Sequence, residues 1–206
     1  MIGKLRSLFT VYRQPLITWV VIKSFFLFFS LLAFPLIPIE PMFYADQAFH
    51  FEQRSDLLEH IFSPFDGQIY LSIAAHGYTS EFVFFPLYPL AIHVVSFVTA
   101  GNLYAAALLI TYLSSLIGFL LLIGLLRKDF SKAVALRAGI LFLLFPGSLF
   151  FSAIYPEALF FCLSVGSLYA ARRSNWLVSG ALAFLAALTR PQGILLAIPL
   201  LFEYRS

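Results

Sequence analysis

Charge is scarce in this chain: Asp, Glu, Lys and Arg together make up 11% of 206 residues, while hydrophobic residues make up 61%. An ordinary soluble domain carries roughly a quarter charged residues. A soluble fold of this length has nowhere to bury that much apolar surface, so the composition points to a polytopic membrane protein. Cysteine is almost absent. The single Cys162 lies in an apolar run, which excludes a disulfide framework and a cysteine-based metal site. The net charge of +3 is small and its basic residues sit at segment ends, so no nucleic-acid partner is expected. There is no glycine-rich phosphate loop, no Ser-His-Asp arrangement and no HExxH pattern. His60, His76 and His93 match no metal-ligand spacing and read as surface or interfacial residues. No metal site and no cofactor is expected, although a divalent cation beside a phosphate stays open. Internal repeats, low-complexity linkers and a second soluble domain are also missing.

What is present is a series of apolar segments with punctuation. Residues 16–37 are long enough to span roughly 30 Å of hydrocarbon and contain one charge, Lys23. Lys4, Arg6 and Arg13 precede this segment, which has no small-residue cleavage pattern and reads as a retained anchor. Residues 38–102 form a loop whose first part is rich in acids: Glu40, Asp46, Glu52, Asp56, Glu59, Asp66 and Glu81, against one arginine, Arg54. Positive-inside bias puts the N-terminus in the cytoplasm and this loop outside. Residues 103–126 form the next span and end at Arg127, Lys128 and Lys132. Residues 134–151 return outward, and 158–171 come back to Arg172 and Arg173. Parity then makes 84–99 a tilted or in-plane helix at the outer interface rather than another crossing. Residues 176–188 and 194–202 are each short, with Thr189-Arg190-Pro191 between them. They are either two thin, tilted crossings with Arg190 outside or one kinked unit. The whole is expected to be all-α, one membrane domain of five to seven segments, with residues 103–206 supplying the spans after the loop.

Three side chains stand out as candidates for chemistry. Ser63-Pro64-Phe65-Asp66 reads as a helix start, with Ser at the cap and Gly77 as the stop, giving a short external helix over 64–76. The plain reading of Asp66 is a capping acid favoured by the helix dipole, worth roughly 0.5–1 kcal/mol. The functional reading is a carboxylate that accepts a proton from an attacking hydroxyl or holds a metal beside a phosphate. Glu157 follows a proline at the outer turn between two spans; it is an ordinary helix-start acid or a second carboxylate at the same interface. Arg190, at an apolar break, either snorkels to the interface or grips an anion, for which a guanidinium fork is suited. Lys23 pairs with an acid or lines a cavity. The aromatics of 84–88 read as an interfacial belt.

Four ordered blocks resemble one family. F-D-G-Q-I-Y-L-S-I-A-A-H-G-Y, F-F-P-L-Y-P-L, F-P-G-S-L-F-F-S-A-I-Y-P-E-A-L-F and A-L-T-R-P-Q-G occur in the order found in the PIG-V family, in the GT-C class of membrane glycosyltransferases. The resemblance runs from about residue 15 to 200 and covers the N-terminal half of the family's pattern. It implies a GT-C-like helical module whose external loop carries in-plane helices. It also implies inverting transfer of a sugar, typically mannose, from a polyprenyl or dolichyl phosphate to an external glycan, lipid or protein acceptor. Under it Asp66 and Glu157 are the catalytic acids and Arg190 contacts the donor phosphate, while Gly67, Tyr70, Tyr78, Tyr88 and Tyr155 line the pocket. The expected location is the inner membrane of a bacterium or the endoplasmic reticulum membrane of a eukaryote. Two departures are visible: the usual Trp-Asp-Gly is Phe65-Asp66-Gly67, and the usual Tyr-Thr-Glu is Tyr155-Pro156-Glu157. The alternative is a non-catalytic partner, or a truncated remnant, that binds a lipid carrier or a second membrane subunit. A small transporter is a weaker option, because few polar groups lie within the spans.

Overall fold

The computed structural model describes residues 2–33, 36, 62–63, 66–80 and 82–205, and the side chains from Tyr12 onward. Every regular element among them is helical. The α-helices are α1 (Ile2–Ala33), α2 (Gly67–His76), α3 (Leu87–Ser96), α4 (Leu103–Leu126), α5 (Lys132–Leu144), α6 (Glu157–Ala171), α7 (Trp176–Thr189) and α8 (Ala197–Arg205). Short 3₁₀ helices at Pro146–Phe151 and Pro191–Leu196 precede α6 and α8.

The segment ends follow from ordinary capping chemistry. Asn102 Oδ1 accepts the Ala105 N–H at 2.9 Å, Ser131 Oγ accepts that of Val134 at 3.4 Å, and Asn175 Oδ1 that of Val178 at 3.3 Å. Each side chain satisfies a donor that the first helical turn leaves orphaned. Gly77, at φ 80°, stops α2 as expected, since its left-handed backbone suits glycine. Two helices are long and apolar enough to cross a membrane: the Tyr12–Ala33 stretch of α1, and α4. Helix α1 begins in the basic N-terminal segment and its described stretch runs to Ala33; Ile37, the expected end of the first span, lies outside the described residues. At ten residues, about 15 Å of rise, α3 is too short to be a crossing by itself.

Helix α4 is the hub, packed against α1, α3, α5 and α6, and α6 in turn packs against α7. Between apolar segments no water is expelled on association, so close van der Waals contact and a few hydrogen bonds decide the packing. Gly118 lets α4 approach α6 closely; a Cβ there would fall 3.0 Å from Cys162 Cα. Ser167 Oγ donates to the Ser179 carbonyl at 2.8 Å, tying α6 to α7, and Trp19 Nε1 donates to Ser115 Oγ at 3.1 Å, tying α1 to α4.

These contacts give the bundle two poles. At one, Lys128 Nζ donates to the Arg172 carbonyl, and Arg172 pairs with Asp129 (2.7 Å) and Glu203 (3.2 Å). With Arg127 and Arg173 alongside, this is the basic pole. The opposite pole carries Asp66, Glu157 and Arg190. The last segments reverse direction at Arg190. Arg190 is extended (φ −151°, ψ 145°) and the chain turns back, so that the Tyr204 ring lies 5.0 Å from that of Trp176. The reversal is tight. A Cβ on Gly193 would meet the Ala187 nitrogen at 2.3 Å, so only glycine lets the returning backbone lie on α7.

Candidate functional site

The site is assembled from two turns far apart in sequence. The first precedes α2. Here the helix start differs from the expected one: α2 opens at Gly67, with Asp66 at the cap position, while Pro64 and Phe65 lie outside the described residues. The Ser63 hydroxyl accepts from Gln68 Nε2 at 2.5 Å, which also reaches the Ser63 carbonyl at 3.4 Å. Asp66 occupies the cap position, makes no side-chain capping bond and is exposed.

The second turn is Ser152–Pro156, between the 3₁₀ helix and α6. Three contacts clamp it to the first. The Ile154 N–H donates to the Phe62 carbonyl at 2.6 Å, and the Asp66 N–H donates to the Tyr155 hydroxyl oxygen at 3.2 Å. Gly67 lies flush on the turn: a Cβ there would be 3.0 Å from the Ile154 carbonyl oxygen and 3.2 Å from Ser63 Cβ. The clamp therefore consists largely of main-chain atoms, and a Cβ at position 67 fits only if a neighbour gives by a few tenths of an ångström.

Glu157 opens α6 directly after this turn, and Arg190 closes α7 beside it. Arg190 Nη1 donates to Glu157 Oε1, pairing an arginine side chain that is 35% exposed with a carboxylate that is 20% exposed. The other carboxylate oxygen, Glu157 Oε2, is buried with no hydrogen-bond partner among the described residues. An orphaned buried acceptor is costly, about 1–3 kcal/mol or more for a charged group.

Asp66, Glu157 and Arg190 all lie close enough to act electrostatically on Tyr70, as does Tyr155. Burial, with Glu157 adding to it, raises the Tyr70 phenol well above its usual range. Burial also pushes Tyr155 up to about 12, with the charges of Asp66 and Glu157 in the same direction and the hydrogen bond from the Asp66 N–H opposing. Both phenols remain neutral donors at ordinary pH. Tyr88 stacks edge-on against Tyr70 at 5.2 Å and joins Thr111 Oγ1 at 3.0 Å, fully buried beneath the site.

The structure thus brings together Asp66, Gly67, Tyr70, Tyr155, Glu157 and Arg190, with Tyr88 behind them. Tyr78 lies apart, at the far end of α2. Its hydroxyl donates to the Phe84 carbonyl at 2.8 Å, and it lines a separate, mostly apolar cavity of about 330 Å³ with Ile73, Pro86 and His93. His93 Nδ1 is 2.9 Å from the Ala74 carbonyl oxygen. No cluster of three metal-ligating side chains occurs among the described residues, and His60 lies outside them. Gln68, whose amide holds the Ser63 turn, was not singled out from the sequence; nothing in its spacing marks it.

An all-helical membrane protein whose acidic pole carries two carboxylates and a guanidinium around a tyrosine pair has the make-up of a membrane glycosyltransferase module. The chain belongs to the family described as Mannosyltransferase (PIG-V), which matches residues 15–202. It is also similar to GPI mannosyltransferase 2 of Yarrowia lipolytica, with 34% identity over 101 residues. That stretch is 48% of this chain and 28% of the relative, so the match spans under a third of the relative's own length. No solved structure matches.

Proposed function

We propose that this chain carries the reaction centre of a membrane mannosyltransferase that uses a polyprenyl- or dolichyl-phosphate mannose donor. The observation that carries this reading is the clamp that sets the uncapped, exposed Asp66 beside the Glu157–Arg190 pair. Asp66 accepts the proton of an acceptor hydroxyl as that oxygen bonds to the sugar's anomeric carbon. The bond from that carbon to the phosphate oxygen breaks with its electron pair leaving on the phosphate, and attack opposite the leaving group inverts the centre. Arg190 has donors beyond the one engaged by Glu157, and these face the growing charge on the phosphate. Glu157 holds the guanidinium in place, and its second oxygen receives a hydroxyl of the sugar or acceptor.

Placement in the membrane follows from charge. The pole with Arg127, Lys128, Arg172 and Arg173 is cytoplasmic, and the Asp66 pole faces the other side, with α2 and α3 lying along the interface. A lipid-linked donor reaches such a site laterally from the bilayer.

The test is transfer of radiolabelled mannose from a polyprenyl-phosphate carrier in membranes containing the protein. Asp66→Asn is expected to lower transfer by about 10²–10⁴-fold with membrane abundance unchanged. Undiminished transfer by that variant would rule out the assignment of the base.

A further inference from the structure

Lys23 is the one side chain in α1 whose burial needs a reason. It is 5% exposed within an otherwise apolar span, where an amine is expensive to keep. A lysine near a helix end can snorkel to water, but this one points inward instead. Nζ donates to Ser152 Oγ at 2.7 Å and to the Phe151 carbonyl at 3.0 Å, and lies 6.0 Å from the centre of the Phe151 ring. Among the described residues no carboxylate pairs with it. Both acceptors belong to the chain that leads directly into Ala153–Glu157, the turn that clamps Asp66.

We infer that Lys23 is a positioning residue: through Phe151 and Ser152 it fixes the height of the 152–156 turn, and so the spacing between Asp66 and the Glu157–Arg190 pair. The argument is one of rigidity. The 3₁₀ segment Pro146–Phe151 has no long hydrogen-bond ladder of its own, and it ends in a turn that must hold the Ile154 and Tyr155 contacts to within a few tenths of an ångström. Side-chain bonds from the neighbouring 32-residue helix α1 supply that constraint. Lys23 touches neither the carboxylates nor the guanidinium. Its effect on chemistry passes through the turn, and the inference rests on the transferase reading only for its activity arm.

The experiment uses the full chain in membranes, with Cys162→Ala to remove the native thiol. Gly67→Cys with Ile154→Cys places two Cβ atoms about 3.7 Å apart, within disulfide range. The melting temperature of the same chain reports on the bundle as a whole. Adding Lys23→Met, an apolar replacement of similar length, is expected to slow oxidation of this pair on the order of tenfold, because the two bonds that hold the turn are lost, and to leave the melting temperature little changed. Lys23→Arg restores the rate. In the otherwise native chain Lys23→Met lowers kcat for mannose transfer with KM for the donor little changed. Unaltered oxidation of the pair overturns the inference. Slowing that comes with a large fall in melting temperature also overturns it, since Lys23 would then support the whole bundle and not one turn. Absence of mannose transfer from the unsubstituted chain refutes the transferase reading alone, and the disulfide arm still decides the role of Lys23.

Discussion

At Asp66 the same side chain admits a structural and a chemical role, and local geometry separates them. A capping carboxylate turns back onto the first amides of its helix, whereas Asp66 leaves them and stays exposed, its own N–H held by Tyr155. Tyr155 shows how buried polarity is arranged around it. Because the folded protein raises the phenol to about 12 from an ordinary value of 10.0, it favours the protonated form. The sign is therefore fixed: the contribution to stability is complete below pH 10 and is lost as pH rises toward 12. Thermal melts in detergent across that window are expected to show a steeper alkaline decline for the native chain than for Tyr155→Phe. The candidacy of Asp66, Glu157 and Arg190 was readable from acids and an arginine placed beside prolines and glycines in apolar surroundings. The partner of Lys23 was not, because Ser152 lies 129 positions away and its contact exists only once α1 and the outer turn are packed.

Elements were legible where capping and apolar length agreed. The span 103–126 is bounded by Asn102 and by a basic cluster, and α4 has those limits. The last segments were ambiguous because Thr189-Arg190-Pro191 suits a kink and a reversal equally well; the decision lies in Gly193, whose missing side chain allows backbone to lie on backbone. Gly193→Ala inserts a methyl where there is no flexible side chain to yield, a form of overpacking that costs about 1–3 kcal/mol. The expected result is a lower melting temperature and weakened contact between Trp176 and Tyr204, read as a change in Trp176 fluorescence in a Trp19→Phe background. The start of α2 was misplaced by the sequence pattern for a related reason. The Ser63 hydroxyl accepts from the Gln68 side-chain amide, a partner that the capping pattern does not mark.

For the molecule as a whole, the separation into a basic and an acidic pole is the feature most open to direct measurement. Single cysteines at 66 and at 173 in a Cys162→Ala background are expected to react with an impermeant thiol reagent from opposite sides of sealed vesicles. Labelling of both from one side contradicts the proposed orientation, while the contacts of Arg172 with Asp129 and Glu203 would still account for the basic pole as a structural knot. The bond from Ile154 to Phe62 has a wider consequence. Since amide and carbonyl groups are common to every residue type except for the missing N–H of proline, the spacing it sets does not depend on which side chains stand at those two positions. Side chains at those two positions are thus free to vary while the approach of the Asp66 turn to the Glu157 turn is inherited unchanged.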